Sequence, residues 1–149
     1  MKISIIIVLA GVALLALITV KVLGINNLNT AKESEISFHQ GNWDDALKLA
    51  QQEDKLIFLN ISASWCGPCK LLKSQTFTDA EAGVFYNDNF INVTVDGEIG
   101  EGIELAQRYA IKGYPTLLFV DDEGKVVTQT AGYHNARNFI ELGKKVTQK

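Results

Sequence analysis

The sequence predicts an α/β sandwich, a central mixed sheet flanked by helices, on three observations. Leu56–Ile61 and Thr116–Val120 are short, nearly continuous apolar runs, as expected of strands covered on both faces. Segments with helical apolar spacing alternate with such runs along the chain. Asp121-Asp122-Glu123-Gly124 then makes a turn into a hairpin instead of another crossover helix.

Each element has its own signal. Asn42 with Asp45 three residues on marks a helix start, a relative of the capping box. Trp43, Ala46, Leu47 and Ala50 follow at i, i+3, i+4 and i+7 and give that helix one apolar face. The strand at 56–61 leads directly into Trp65-Cys66-Gly67-Pro68-Cys69-Lys70, and a helical pattern runs from Cys69 through Leu71 and Leu72 toward Thr76. Asp79 can cap a further helix through Tyr86, stopped by Asn87-Asp88-Asn89. Ile91, Val93 and Val95 alternate with Asn92 and Thr94, the period of a strand with one more polar face. Gly102 to Ala110 reads as a helix with Leu105 and Tyr109 stacked at i, i+4. Gly113-Tyr114-Pro115 introduces the strand at 116–120, and the hairpin continues into Lys125–Ala131. The last helix runs from Ala136 to about Lys145, with Asn135 as cap and lysines at the end its dipole favours.

A chain of 149 residues supports one domain with a sizeable core and is too short for two ordinary ones. Its formal charge is −3, and no basic cluster with interleaved aromatics is present, which argues against a nucleic-acid partner. Ile3 to Val20 is uncharged and almost wholly aliphatic. As a helix it spans about 27 Å, close to the hydrocarbon thickness of a bilayer. We therefore expect one N-terminal transmembrane helix at residues 3–23 (anchor 1–24), a polar tether at 25–35 and a globular domain at 36–149. A secretory signal peptide is the rival, although its apolar region is usually about 7–15 residues with an Ala-x-Ala-like exit. Val22-Leu23-Gly24 is a poor cleavage site by that standard. A short N-terminus followed by one span places the domain on the exported, periplasmic-type side of a cell inner membrane, where disulfides persist. A soluble exported form after cleavage is the alternative.

The chain's only two cysteines, Cys66 and Cys69, are separated by two residues. Such a pair can close a disulfide across one helical turn and open it again. A strand ending just before Cys66, with helix pattern after it, puts Cys66 at a helix N-terminus, where unpaired amides favour a thiolate. Cys66 then suits the attacking sulfur, and Cys69, one turn in and expected to be the more buried, suits the resolving one. Pro68 is tolerated in a first turn, where its missing N–H would have been unpaired. A zinc site needs about four ligands, and the only histidines, His39 and His134, stand far from the motif and read as solvated polar residues. An inert structural disulfide gains little from so small a loop, and no Cys/His arrangement suggests a protease. The reading calls for no metal and no organic cofactor.

Trp65-Cys66-Gly67-Pro68-Cys69-Lys70 resembles the active site of the thioredoxin family, and Gly113-Tyr114-Pro115-Thr116 its cis-proline loop. The similarity covers roughly residues 36 to 145, and Ser74–Asp79 and Gly113–Phe119 are more similar to the exported, disulfide-reductase branch. The resemblance implies a thioredoxin fold, with Cys66 attacking and Cys69 resolving. It implies that Trp65 covers the site, that Pro115 is cis beside the sulfurs, and that backbone on either side of Pro115 binds an extended partner segment. It also implies disulfide-containing protein substrates and an upstream thiol reductant. Three positions depart from the family pattern. Asn60 replaces a buried Asp that relays a proton for the resolving cysteine, Asn92 stands where a facing lysine is expected, and Ser74 replaces a kinking proline, which should leave the helix straighter. A disulfide oxidase or isomerase would share every residue of this reading, and a non-catalytic tethered binding module remains as a third function.

Overall fold

The computed structural model describes residues 35–148. The apolar run at 3–23 and most of the expected tether lie outside the described residues. Among the described residues no helix is long and apolar enough to cross a membrane.

The elements run α1 (Trp43–Glu53), β1 (Leu56–Ser62), α2 (Gly67–Leu71), a π-helical turn (Leu72–Thr76), α3 (Ala80–Asn89), β2 (Phe90–Asp96), α4 (Glu101–Arg108), β3 (Thr116–Val120), β4 (Val126–Ala131) and α5 (Ala136–Thr147). Three of the longer helices open on the side-chain caps expected: Asn42, Asp79 and Asn135 accept the N–H of Asp45, Ala82 and Asn138. The strands form one sheet in the order β2-β1-β3-β4. β1 is parallel to β2 and antiparallel to β3, and β3 is antiparallel to β4, so the sheet is mixed.

Alternation along β1 divides the core. Ile57, Leu59 and Ile61 pack with Trp43, Ala46 and Ala50 of α1 and Leu105 of α4. Phe58 faces the opposite layer, with Leu72, Tyr86 and Phe139. Its ring centroid lies 5.1 Å from both Tyr86 and Phe139 and 5.5 Å from Phe119. Fully burying one such side chain contributes about 1.5–3 kcal/mol. The site therefore rests on a β1 clamped from both faces.

Tyr86 is fully buried, stacks on Phe139 at 3.9 Å and donates its hydroxyl to the Phe139 carbonyl at 2.8 Å. Burial pushes its phenol well above the ordinary tyrosine range. A folded-state pKa raised in this way gives stability that is fully present below the unfolded value of about 10 and is lost as pH rises beyond it. Tyr86→Phe should cost about 1 kcal/mol at pH 7 yet lose less stability between pH 9 and pH 11 than the parent. Urea midpoints across that range check this, and equal losses would contradict it.

Two element ends differ from expectation. α3 continues to Asn89, because Asn87 does not stop it. The Asn87 side chain instead accepts the Ser37 N–H at 2.8 Å and donates to the Glu35 carbonyl at 2.9 Å, fastening the incoming segment. α4 ends at Arg108, and Ala110 turns the chain with φ 50° while Ile111 N–H closes onto the Ala106 carbonyl.

Candidate active site

β1 delivers the chain to Ser62, and a turn closed by Cys66 N–H on the Ala63 carbonyl (3.1 Å) presents Cys66 at the start of α2. Cys66 occupies the N-cap position with extended backbone, and its Sγ accepts the Cys69 N–H at 3.2 Å. A sulfur thus does what a serine or aspartate oxygen does at other helix starts. Gly67 and Pro68 form the exposed first turn, and Lys70 is exposed beyond it. Cys66 and Cys69 are joined in a disulfide. Cys66 is 2% exposed and Cys69 7%, the reverse of the expected order of burial. Ala63 and Tyr114 pack against the pair, while a cavity opens beside Cys69.

Trp65 is 65% exposed at the edge of the motif. Its indole N–H donates to Glu98 Oε2 at 3.0 Å, and its ring meets Tyr114 edge to face at 6.0 Å. Tyr114 is half-buried, and burial first, then the Glu98 and Asp96 carboxylates, hold its phenol above the usual tyrosine range. The Tyr114–Pro115 bond is cis. Thr116 is buried and donates its hydroxyl to the Gly113 carbonyl at 2.8 Å. The Pro115 carbonyl accepts the Gly132 N–H at 2.9 Å.

Sequence reasoning missed the acidic rim that holds these residues. Asp96, at the end of β2, accepts the Ser64 N–H at 3.1 Å and the Glu98 N–H at 2.9 Å. Gly97 follows, and a Cβ there would come within 2.7 Å of the Tyr114 ring, so only glycine lets that ring lie against the end of β2. No motif marks Asp96 or Glu98; only the parallel register, which sets Ser62 opposite Asp96, brings them beside Ser64 and Trp65.

The departures at Asn60, Asn92 and Ser74 take a different form from that expected. Asn60 is buried, and its cross-strand partner is Thr94, whose Oγ1 accepts its Nδ2 at 2.8 Å. Asn60 Oδ1 finds no protein donor. Asn92 does not face Asn60: it pairs with Phe58 and donates to Asn87 Oδ1 at 3.1 Å. The helix after Cys69 is not straighter. It widens into a π turn, with Phe77 N–H on the Leu72 carbonyl at 2.9 Å. Fully buried Thr76 donates to the His134 carbonyl at 2.7 Å and Tyr133 to Gln75 at 3.0 Å, tying that turn to the loop after β4. The extra residue is thus held by tertiary hydrogen bonds, as π turns near functional sites often are. Neither histidine is simply solvated: both are half-buried, and His39 Nε2 has no protein partner.

A family profile described as thioredoxin-like domain matches residues 43–147. The chain belongs to the thioredoxin family. Among solved structures, a Bacteroides thetaiotaomicron protein described as a disulphide-isomerase is 37% identical with a TM-score of 0.68, covering 78% of this chain and 96% of that one. The oxidised C-terminal domain of Neisseria meningitidis DsbD shares the fold at a TM-score of 0.59 and 24% identity, covering 74% of this chain and 97% of that one. The thiol:disulfide interchange protein DsbD of Photorhabdus laumondii is 26% identical over 114 residues, covering 73% of this chain and 20% of that protein. The chain therefore spans about a fifth of the length of the curated relatives it matches. Family membership and the bonded Cys66–Cys69 pair give this thioredoxin-family domain the dithiol/disulfide couple of a thiol–disulfide oxidoreductase.

Proposed function

We propose that the chain is a membrane-tethered disulfide reductase for exported or envelope proteins, cycling Cys66 and Cys69 between dithiol and disulfide. One observation carries the chemistry: the Cys69 N–H lies on Cys66 Sγ at 3.2 Å and favours negative charge on that sulfur. Cys66 thiolate attacks a partner disulfide and forms a mixed disulfide, and the first partner sulfur leaves with the electron pair. Cys69 then loses its proton and attacks Cys66 Sγ, which restores the Cys66–Cys69 bond and frees the second partner sulfur. The partner gains two electrons, and an upstream thiol reductant must return them.

Tyr114, Pro115 and Thr116 would hold the partner's extended segment beside Cys66, with Trp65 and Glu98 as its rim. Two features support the reducing direction: the Gly67-Pro68 pair between the cysteines and the similarity to interchange proteins of the DsbD type. The apolar run at 3–23 supports an anchor in the inner membrane with the domain on the exported side, or a soluble exported protein if that run is cleaved. A disulfide-isomerase role is the second reading, favoured by the 37% identity to the Bacteroides thetaiotaomicron protein. Catalysed reduction of insulin by dithiothreitol tests the main reading. Turnover well above the uncatalysed rate supports it, and none at any protein concentration leaves only a binding module.

A further inference from the structure

Asn60 is an amide and cannot accept a proton, so the proton that Cys69 sheds on resolving needs another acceptor. A cavity of about 400 Å³ lies against Cys69, and Ser62, Ser64, Lys70, Lys73 and Asp96 share its lining. Asp96 is the single carboxylate of that lining. Glu98 lies outside it, engaged by the Trp65 indole. The parallel register explains the placement. Thr94 stands opposite Asn60 and Asp96 opposite Ser62, so the acid sits on the neighbouring strand, one repeat nearer the cysteine motif. Its Oδ2 and Oδ1 accept the Ser64 and Glu98 N–H groups at 3.1 and 2.9 Å, one bond to each oxygen. An ionised carboxylate offers about four lone-pair sites, so each oxygen keeps one for water. At about 30 Å³ per water molecule, the cavity has room for several alongside the carboxylate and the thiol. Lys70 and Lys73 border the same space, and among the described residues neither has a carboxylate within ion-pair distance. Their ammonium groups favour negative charge on a sulfur there.

We propose that Asp96 is the proton acceptor of the resolving step, drawing the Cys69 proton through water held in this cavity. The proposal rests on the cycle above, in which Cys66 attacks and Cys69 resolves. Once Cys66 is joined to the partner, the Cys69 S–H gives its proton to a cavity water, which passes one on to the Asp96 carboxylate. The Cys69 thiolate bonds to Cys66 Sγ, and the bond from Cys66 to the partner breaks with its electron pair leaving on the partner sulfur. The cysteine pair is oxidised, the partner is reduced, and Asp96 returns its proton to solvent. The site thus keeps a base for its resolving thiol, moved from the β1 position that Asn60 occupies to the end of β2.

Rapid mixing of the reduced full-length protein with dithiobis-nitrobenzoate, an aromatic disulfide, reads the two steps separately. Attack by Cys66 and resolution by Cys69 each release one coloured thiolate. Asp96→Asn should slow the second release relative to the first by about 10- to 100-fold, the lower end for a positioned general base because it acts across water. Asp96→Glu should bring that ratio back to within about 3-fold of the parent, since it restores the carboxylate. Imidazole should quicken the second release of Asp96→Asn in proportion to its concentration and leave the parent unmoved. Loss of a hydrogen bond to Ser64 or Glu98 would not create such a response. A second release as fast in Asp96→Asn as in the parent, equal slowing of both releases, or no response to imidazole would each overturn the proposal. Release of a single thiolate by the parent would instead remove the resolving role of Cys69, and the proposal with it.

Discussion

In the Cys69→Ala variant, disulfide reduction should stop after the first exchange, with the partner left covalently attached to Cys66. Turnover should fall by about three orders of magnitude or more, the scale on which loss of one member of a covalent machinery acts. Cys66→Ala should lose turnover equally but accumulate no adduct with a protein disulfide, because the sulfur capped by the Cys69 N–H is the one removed. The contrast between equal kinetic losses and unequal trapping separates attack from resolution. Both variants should stay folded. The disulfide closes a very short loop, which gives little entropic stabilisation, and the core around Phe58 is built without either sulfur. Non-reducing electrophoresis after mixing with a disulfide-bonded protein reads the result directly. An adduct in Cys66→Ala and none in Cys69→Ala would exchange the two roles.

Replacing Asn60 with Asp should accelerate the resolving step at pH 7 by about 3- to 10-fold, because a carboxylate can take the Cys69 proton and an amide cannot. Asn60 shares a sheet face with Phe58, whose neighbour Leu72 sits one turn beyond Cys69, and its Oδ1 lacks a donor. A carboxylate there would be desolvated and its pKa pushed up. It should also destabilise the fold at neutral pH by about 1–3 kcal/mol, the penalty for a poorly satisfied buried polar group. The sign of the pH effect follows from that rise. A folded-state pKa above the unfolded carboxylate value leaves stability intact in acid and removes it as pH climbs through the folded value. The variant should therefore match the parent near pH 4 and fall below it by pH 8, in urea midpoints measured alongside single-turnover rates. An unchanged rate would remove Asn60 from the resolving step.

Most of the fold was legible in the sequence because its signals are local. The caps at Asn42, Asp79 and Asn135, the apolar runs of β1 and β3 and the turn at Asp121–Gly124 each depend on a few adjacent residues. The site was legible for the same reason where it is contiguous, from Trp65 to Lys70 and from Gly113 to Thr116. What was missed depends on register and tertiary bonds. The cross-strand partner of Asn60 was not legible, since only the parallel register sets Thr94 opposite it. Glu98 and Asp96 reach Trp65 and Ser64 only because β2 ends beside β1, and Gly97 and Gly102 leave room for Tyr114 and for α4 there. Substituting serine for proline removed one cause of a kink, yet Thr76 and Gln75, anchored to the loop after β4, support another.

Whether Cys66 and Cys69 form a reducing dithiol is read by equilibrating the full-length protein with graded glutathione redox buffers. The fraction of the Cys66–Cys69 pair oxidised at each ratio, read by alkylation and mass shift, gives its reduction potential. A reducing pair should sit at about −270 mV, the value of a thioredoxin-type reductant, and about −120 mV, that of a strong oxidant, would contradict the reducing role.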